Sequence, residues 1–182
     1  LADSAVLKNP ESLRHQVTLK KSVQEGLEEV ARNAARRLGP KLSVAIMVAD
    51  IRSGEILGEV GSPDYFDRQR NGFIDMLRVP RSPGSTLKPL IFGLAFESGI
   101  VAQQTIIEDR PSNFSGYRPR NFDSAYQGDV SVRDALQMSL NVPAVALLER
   151  VGIGPMYSFL QTAGFTTLSE APEHYGLGLT LG

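Results

Sequence analysis

Ser85 and Lys88 stand three residues apart in "RSPGSTLKP", residues 81–89. A serine hydroxyl is a weak nucleophile at neutral pH. A lysine amine can activate it only if burial or a cationic neighbour strips the amine of its proton. On a helical turn, positions i and i+3 share one face, so the spacing predicts hydroxyl and amine within hydrogen-bonding reach. Gly84 lets a ligand approach the backbone closely. A serine in the first turn of a helix sits among backbone N–H groups that suit a developing oxyanion. Pro89 complicates the geometry, because it disfavours helical backbone at Lys88 and cannot donate to the Ser85 carbonyl. Either a helix starts at Pro89, or residues 85–88 form a tight turn leading into one. Both place Ser85 at a helix N-terminus.

A second pair lies 54 residues further on, in "SLNVPAV", residues 139–145. Ser139 and Asn141 by themselves read as a helix C-cap followed by an N-cap. Their context is a turn-rich excursion before them and Pro143 opening a new helix after them.

The elements that must position these four side chains can be read from periodicity. Val23, Leu27, Val30, Ala31, Ala34 and Leu38 form one stripe of a helix beginning at Ser22, with Glu28 and Arg32 on the other face as an i,i+4 pair. "LGP" stops it at 38–40. "LSVAIMVAD" (42–50) suits a strand buried on both faces, and "EILGEVG" (55–61) its hairpin partner. Residues 62–84 lack a period, and a connection of that length inside a domain is often functional. "LIFGLAFESG" reads as a buried helix ended by Gly99. After a turn-rich stretch over 108–129, "SVRD" at 131–134 resembles a capping box. "PAVALLERVG" and "GPMYSFLQTAG" supply two more helices. Residues 1–21 read as a linker or the end of a preceding region, and 22–182 as one folded portion.

Bulk composition narrows the function classes. The chain has 182 residues, a net charge of -1 and no cysteine. No broad field argues for nucleic acid or an anionic membrane, and disulfides, thiolate metal sites and cysteine nucleophiles are excluded. No apolar run is long enough to span a bilayer. The start at Leu1 and the stop within "HYGLGLTLG" read as a piece of a longer protein. His15 and His174 have no partner pattern for a metal or a triad, Asp64 and Asp67 lack an ion-binding loop signature, and the "NFS" sequon at 113–115 reads as incidental.

With these motifs in order, the chain resembles the class A penicillin-binding proteins, serine acyltransferases that cross-link peptidoglycan. "RSPGSTLKP" is similar to their nucleophile segment, "YRPRNFD" (117–123) to their Y-x-P-x-N element, and "SLNVPAV" to their S-x-N segment. "LSVAIMVAD" with "GEILGEVGSPDY" resembles the start of their transpeptidase domain, and the likeness covers about residues 16–182. It implies an α+β, penicillin-binding-protein or serine β-lactamase-like fold, here incomplete. The antiparallel sheet, packed against a helical subdomain, would have only its first two strands. It also implies roles. Ser85 attacks the penultimate D-Ala carbonyl of a D-Ala-D-Ala stem peptide, and Lys88 takes the serine proton. Ser139 relays that proton to the leaving amine, and Asn141 holds Lys88 and the substrate amide. Ser85 and Gly84 serve the oxyanion and the substrate. No metal or cofactor is implied, and Tyr117, Pro119 and Asn121 read as shaping a loop.

The implied partners are stem peptides and β-lactams, not nucleic acid. The resemblance also implies a preceding glycosyltransferase domain and a membrane anchor on the periplasmic face of a bacterial inner membrane. The family's K-T-G strand motif is absent, and no lysine follows Lys88. With one oxyanion donor lacking, the isolated chain is expected to be a poor or inactive catalyst. A class A β-lactamase would share the four residues but needs a deacylating glutamate in E-x-x-L-N, and neither Glu170 nor Glu173 sits in that pattern. A non-catalytic penicillin-sensing or scaffolding domain is the other alternative.

Overall fold

An 18-residue amphipathic helix, α1 (Lys21–Leu38), leads into the first sheet. The computed structural model describes residues 6, 7 and 9–181, so the first part of the segment read as a linker lies outside the described residues. Ala31 is the one fully buried member of the predicted α1 stripe, Ala35 outside it is buried as well, and Val30 and Leu38 are exposed at 55% and 53%. The apolar face is therefore narrower than the period alone suggests. Glu28 and Arg32 form the expected surface pair at 3.7 Å.

Strands β1 (Ile46–Ala49) and β2 (Ile56–Val60) form an antiparallel hairpin with Ile46 opposite Val60 and Val48 opposite Gly58. Asp50 shapes the connection by accepting from the backbone N–H groups of Arg52 and Ser53, both at 2.9 Å. Helix α1 packs on β2, and Gly58 is what permits the close approach. A Cβ there would lie 2.7 Å from Leu27 Cδ1 and 3.1 Å from Val23 Cγ1. The end of the segment read as a linker also joins β2, with Thr18 Oγ1 donating to Ile56 O (2.6 Å) and Lys20 N to Leu57 O (2.9 Å).

Two expectations are corrected here. The strand is shorter than 42–50, because beyond Val60 the chain turns away and Gly61 O accepts from Met76 N (2.9 Å). Residues 42–45 thus face no partner strand. Nor is β1 buried on both faces: its residues alternate half-buried and exposed, and Met47 is 47% exposed.

The connection after β2 is held by one arginine. Arg70 donates to the carbonyls of Ala35 (3.2 Å), Gly39 (2.9 Å) and Leu42 (3.1 Å), and pairs with Asp67. It satisfies orphan acceptors at the C-terminal end of α1, where a cation also meets the negative end of the helix dipole. Asp67 in turn caps the 3-10 turn Arg68–Arg70 through Gln69 N and Arg70 N. Asp64 and Asp67, weighed as ion ligands from sequence, are structural.

The chain divides into two compact units at Pro80 and Arg81. The second unit begins with a 3-10 turn, Gly84–Leu87, running into α2 (Lys88–Glu97). Helix α2 is apolar on most of its sides, as suits a helix packed at the centre of the unit, with Pro89, Gly93 and Glu97 exposed. Ile91, Phe92 and Ala95 are completely buried. Around it lie α3 (Val132–Gln137), α4 (Asn141–Val151), α5 (Ile153–Thr162), the short α6 (Pro172–Tyr175) and a final 3-10 turn, Gly176–Thr180. Leu87, Ile91, Phe92, Leu147, Leu148, Met156 and Leu160 form the centre of one continuous core.

A second sheet was not legible in the sequence. Strands β3 (Ile106–Asp109) and β4 (Gly128–Ser131) pair antiparallel across the stretch read as turns, with Asp109 opposite Gly128. "IIED" and "GDVS" carry glycine and carboxylates that are poor strand formers, and the 18 residues between them are too many, and too rich in turn residues, to mark the two as hairpin partners. What holds them is side-chain burial at alternate positions, Ile107 and Asp109.

Candidate active site

Of the two starts open to the helix, the turn that carries Ser85 takes the second, a tight turn running into it. Gly84 adopts φ 57°, the left-handed region open to glycine. Residues 84–87 then wind as 3-10, and Lys88 is helical (φ -55°, ψ -45°) with its N–H bonded to Ser85 O. The α-helix therefore begins one residue before Pro89, which takes an early position where a missing N–H leaves no helical bond unmade. Ser85 sits exposed at the helix mouth, while Leu87 and Lys88 are buried.

Lys88 is the largest fully buried side chain, at 1% exposure. Its Nζ donates to Ser139 O (2.5 Å), Ser139 Oγ (3.2 Å) and Asn141 Oδ1 (2.6 Å). An ammonium has three N–H donors and no acceptor, so these contacts saturate it. No carboxylate pairs with it among the described residues. Burial without a counter-charge disfavours the charged form and holds the Lys88 amine down at about pKa 8, from an ordinary 10.5.

The hydroxyl of Ser85 makes no hydrogen bond to Lys88, so the direct contact expected from the i, i+3 spacing is not formed. The amine reaches instead for a carbonyl and a carboxamide oxygen, stronger acceptors than a hydroxyl. Loss of one proton would leave Nζ a lone pair, and Ser85 Oγ–H stands one turn away as a donor.

Ser139 and Asn141 reach the amine because of how α3 ends. The N–H of Ser139 bonds Leu136 O and that of Leu140 bonds Ala135 O, both at 3.0 Å, the two bonds of a Schellman stop. The left-handed residue of such a stop is usually glycine, yet here it is Ser139 at φ 55°. A non-glycine there costs roughly 1–2 kcal/mol, and such strain concentrates at functional sites. Leu140 is extended, and α4 starts at Asn141, two residues before the Pro143 expected to open it. Ser131 caps α3 as expected, accepting from Asp134 N (3.1 Å). The Asp134 carboxylate, however, takes the serine hydroxyl (2.6 Å) rather than reaching back to the backbone.

Residues that read in sequence as loop-shaping anchor this start of α4. Asn121 Oδ1 accepts from Asn141 N (2.8 Å), and Asn141 Nδ2 donates to Arg120 O (2.6 Å). Asn121 is 5% exposed, and its Nδ2 donates to Asp109 and to Ala125 O. Tyr117 takes part through its backbone, in a bridge to Phe114. No sequence motif singles out Asp109; only its apolar neighbours at alternate positions signal an inward-facing site. A cleft of about 510 Å³ lies alongside, lined by Pro111, Asn113, Arg118, Pro119, Arg120 and Tyr126 among others. The structure thus brings together Lys88, Ser139 and Asn141, with Ser85 and Gly84 one turn away. His174 is exposed and stacks edge-on to Tyr175.

Comparison with known proteins follows the same residues. Positions 44–176 match the penicillin binding protein transpeptidase domain model. The chain is 39% identical to penicillin-binding protein 1C of Escherichia coli over 91% of its own length and 21% of that protein's. It is 32% identical to penicillin-binding protein 1A of Neisseria flavescens, over 79% of this chain and 18% of that one. The chain therefore spans about a fifth of these relatives. In fold it is similar to the PonA1 protein of Mycobacterium tuberculosis solved in complex with penicillin V. That match has a TM-score of 0.74, 21% identity and coverage of 97% of this chain and 48% of that one.

Proposed function

The chain belongs to the penicillin-binding protein transpeptidase family, and from that premise we propose that Ser85 is the nucleophile of a D,D-transpeptidase that cross-links peptidoglycan stem peptides. One observation carries the reading: a fully buried Lys88 amine, without a counter-ion among the described residues, held by Ser139 and Asn141 one turn from an exposed serine. Burial is what makes that amine a usable base near neutral pH.

In this mechanism the Ser85 Oγ–H proton passes to the Lys88 amine as Oγ attacks the penultimate D-Ala carbonyl. The Ser85 N–H faces the developing oxyanion, and Gly84 leaves room for the peptide. Collapse breaks the C–N bond to the terminal D-Ala. Its amine takes a proton from Lys88 relayed by the Ser139 hydroxyl, and an acyl-serine remains. An amine of a second stem peptide attacks that ester, and the proton it releases returns to Ser85. Asn141 keeps Lys88 in register and offers its carboxamide to the substrate amide. β-Lactams acylate the same serine; the penicillin V complex of a protein of this fold supports that extension. We further propose that the segment acts within a longer, membrane-anchored chain that also carries a glycosyltransferase domain, at the periplasmic face. By itself it lacks the K-T-G strand and its oxyanion donor, a loss worth about 100- to 1,000-fold in rate.

Labelling with a fluorescent penicillin tests the reading. The complete polypeptide carrying this segment is expected to label, its Ser85→Ala variant not at all, and the isolated 182-residue chain weakly or not at all. Labelling that survives Ser85→Ala would refute the assignment of the nucleophile.

A further inference from the structure

We propose that Asp109 is a positioning residue for acyl transfer: it fixes the direction in which the Asn121 carboxamide faces, and through it the register of Asn141. The inference rests on the Ser85–Lys88 reading above.

Asp109 is 0% exposed, at the end of β3. Among the described residues no lysine or arginine pairs with it. It is held wholly by N–H donors: Asn121 Nδ2 reaches Oδ1 at 2.8 Å and Oδ2 at 2.9 Å, and Gln127 N reaches Oδ2 at 2.8 Å. Burying a carboxylate away from any cation is costly even when it is hydrogen-bonded. An apolar residue like Ile107, two positions earlier and also buried, would fill the space without that cost. The carboxylate needs a reason.

The reason is the two-faced chemistry of a carboxamide. Asn121 can present its NH2 to one side and its oxygen to the other, or the reverse. With Nδ2 facing the two Asp109 oxygens and Ala125 O, Oδ1 faces Asn141 N at 2.8 Å, and every contact pairs a donor with an acceptor. Reversal would set Oδ1 against three oxygens and Nδ2 against the Asn141 N–H. Asp109 thus imposes the only workable orientation. Asn141 is then held at its backbone by Asn121 and at its amide by Arg120 O, which leaves Oδ1 for Lys88 at 2.6 Å. The path runs from a carboxylate to a carboxamide, to a backbone N–H, to the side chain that holds the amine. Asp109 touches neither the amine nor the nucleophile.

Asp109→Asn brings an NH2 against donors on one side and frees Asn121 to turn. The test measures the rate constant of acylation by fluorescent penicillin in the complete polypeptide, separately from the amplitude. A merely structural residue changes how much protein labels, not how fast the labelled molecules react. The expected result is a rate constant lowered about tenfold or more. In the exchanged pair Asp109→Asn with Asn121→Asp, the carboxamide now at position 109 donates to a carboxylate at position 121 that still accepts from Asn141 N, while Ala125 O loses its donor, so the relief is partial. At least threefold of the loss is expected to return. Asn121→Ala, which keeps the buried carboxylate but removes the oriented amide, is expected to slow acylation as much as Asp109→Asn. It provides the reading if Asp109→Asn gives no labelled protein. Parental rate constants in Asp109→Asn or in Asn121→Ala would overturn the inference. If Ser85→Ala still labels, the underlying site assignment fails instead.

Discussion

Replacing Lys88 by arginine separates the two properties that the proposed mechanism asks of this residue. Arginine keeps a cation at the end of a long side chain, so it can still donate to Ser139 and Asn141, but it does not lose its proton in a protein. The buried Lys88 amine titrates at about pKa 8 instead of 10.5, so at pH 7 roughly a tenth of it is the free base, against roughly 0.03% for an ordinary lysine. Burial alone thus raises the population of the competent base about 300-fold. A positioned general base is itself worth about 100- to 10,000-fold in rate. Lys88→Arg is therefore expected to slow penicillin acylation by at least about 100-fold. It is also expected to erase the pH dependence: the parent's rate constant should climb with pH and level off with a midpoint near 8, while the variant's profile stays flat. Stopped-flow or gel-based acylation kinetics from about pH 6 to about pH 10 on the complete polypeptide would measure both, a range that brackets the shifted amine. A variant acylating within about tenfold of the parent, or a parental midpoint near 10.5, would refute the assignment of Lys88 as the base.

The same titration has a consequence for stability. Because the folded pKa of Lys88 lies below the unfolded one, the unfolded state binds more protons between pH 8 and 10.5. The contribution of this one group to stability therefore rises with pH across that window, by about 3 kcal/mol, and is flat below it; Lys88→Met should remove that rise in denaturant melts. Asn141→Ala strips Lys88 Nζ and Arg120 O of partners at 2.6 Å each. Acylation should fall by at least about tenfold, as expected when a buried charged donor loses its acceptor, and a parental rate constant would show that the carboxamide is dispensable. Arg70→Ala leaves the carbonyls of Ala35, Gly39 and Leu42 without their shared donor. A loss of roughly 2 kcal/mol is expected on thermal unfolding of this unit, in line with unsatisfied buried acceptors. Gly72→Ala drives a Cβ into the carbonyl oxygen of Asp64. The backbone must move, at more than about 2 kcal/mol, and an unchanged melting temperature would show that the 62–76 connection is looser than its hydrogen bonds imply.

How much of this is legible without the fold differs by residue. Residue types and order are enough to single out Ser85, Lys88, Ser139 and Asn141 as candidates, because nucleophile chemistry needs a hydroxyl with a nearby amine and the motifs fall in a recognisable sequence. The period of 3.6 placed α1 and the apolar run placed α2, since an element that buries a face must write it into its own spacing. Strands β3 and β4 left no such mark, being four residues each and held by pairing across a long excursion. The i, i+3 rule placed Ser85 and Lys88 on one turn but not the destination of the amine. Which acceptors a flexible four-carbon chain meets depends on what α3 and α4 bring within reach. The left-handed Ser139, the one-sided orientation of Asn121 and the buried Asp109 are likewise products of tertiary structure. The amine of Lys88 finds its carboxamide 53 residues away and the Asp109 carboxylate finds its own 12 residues away, and no local pattern encodes a contact whose two halves are specified so far apart.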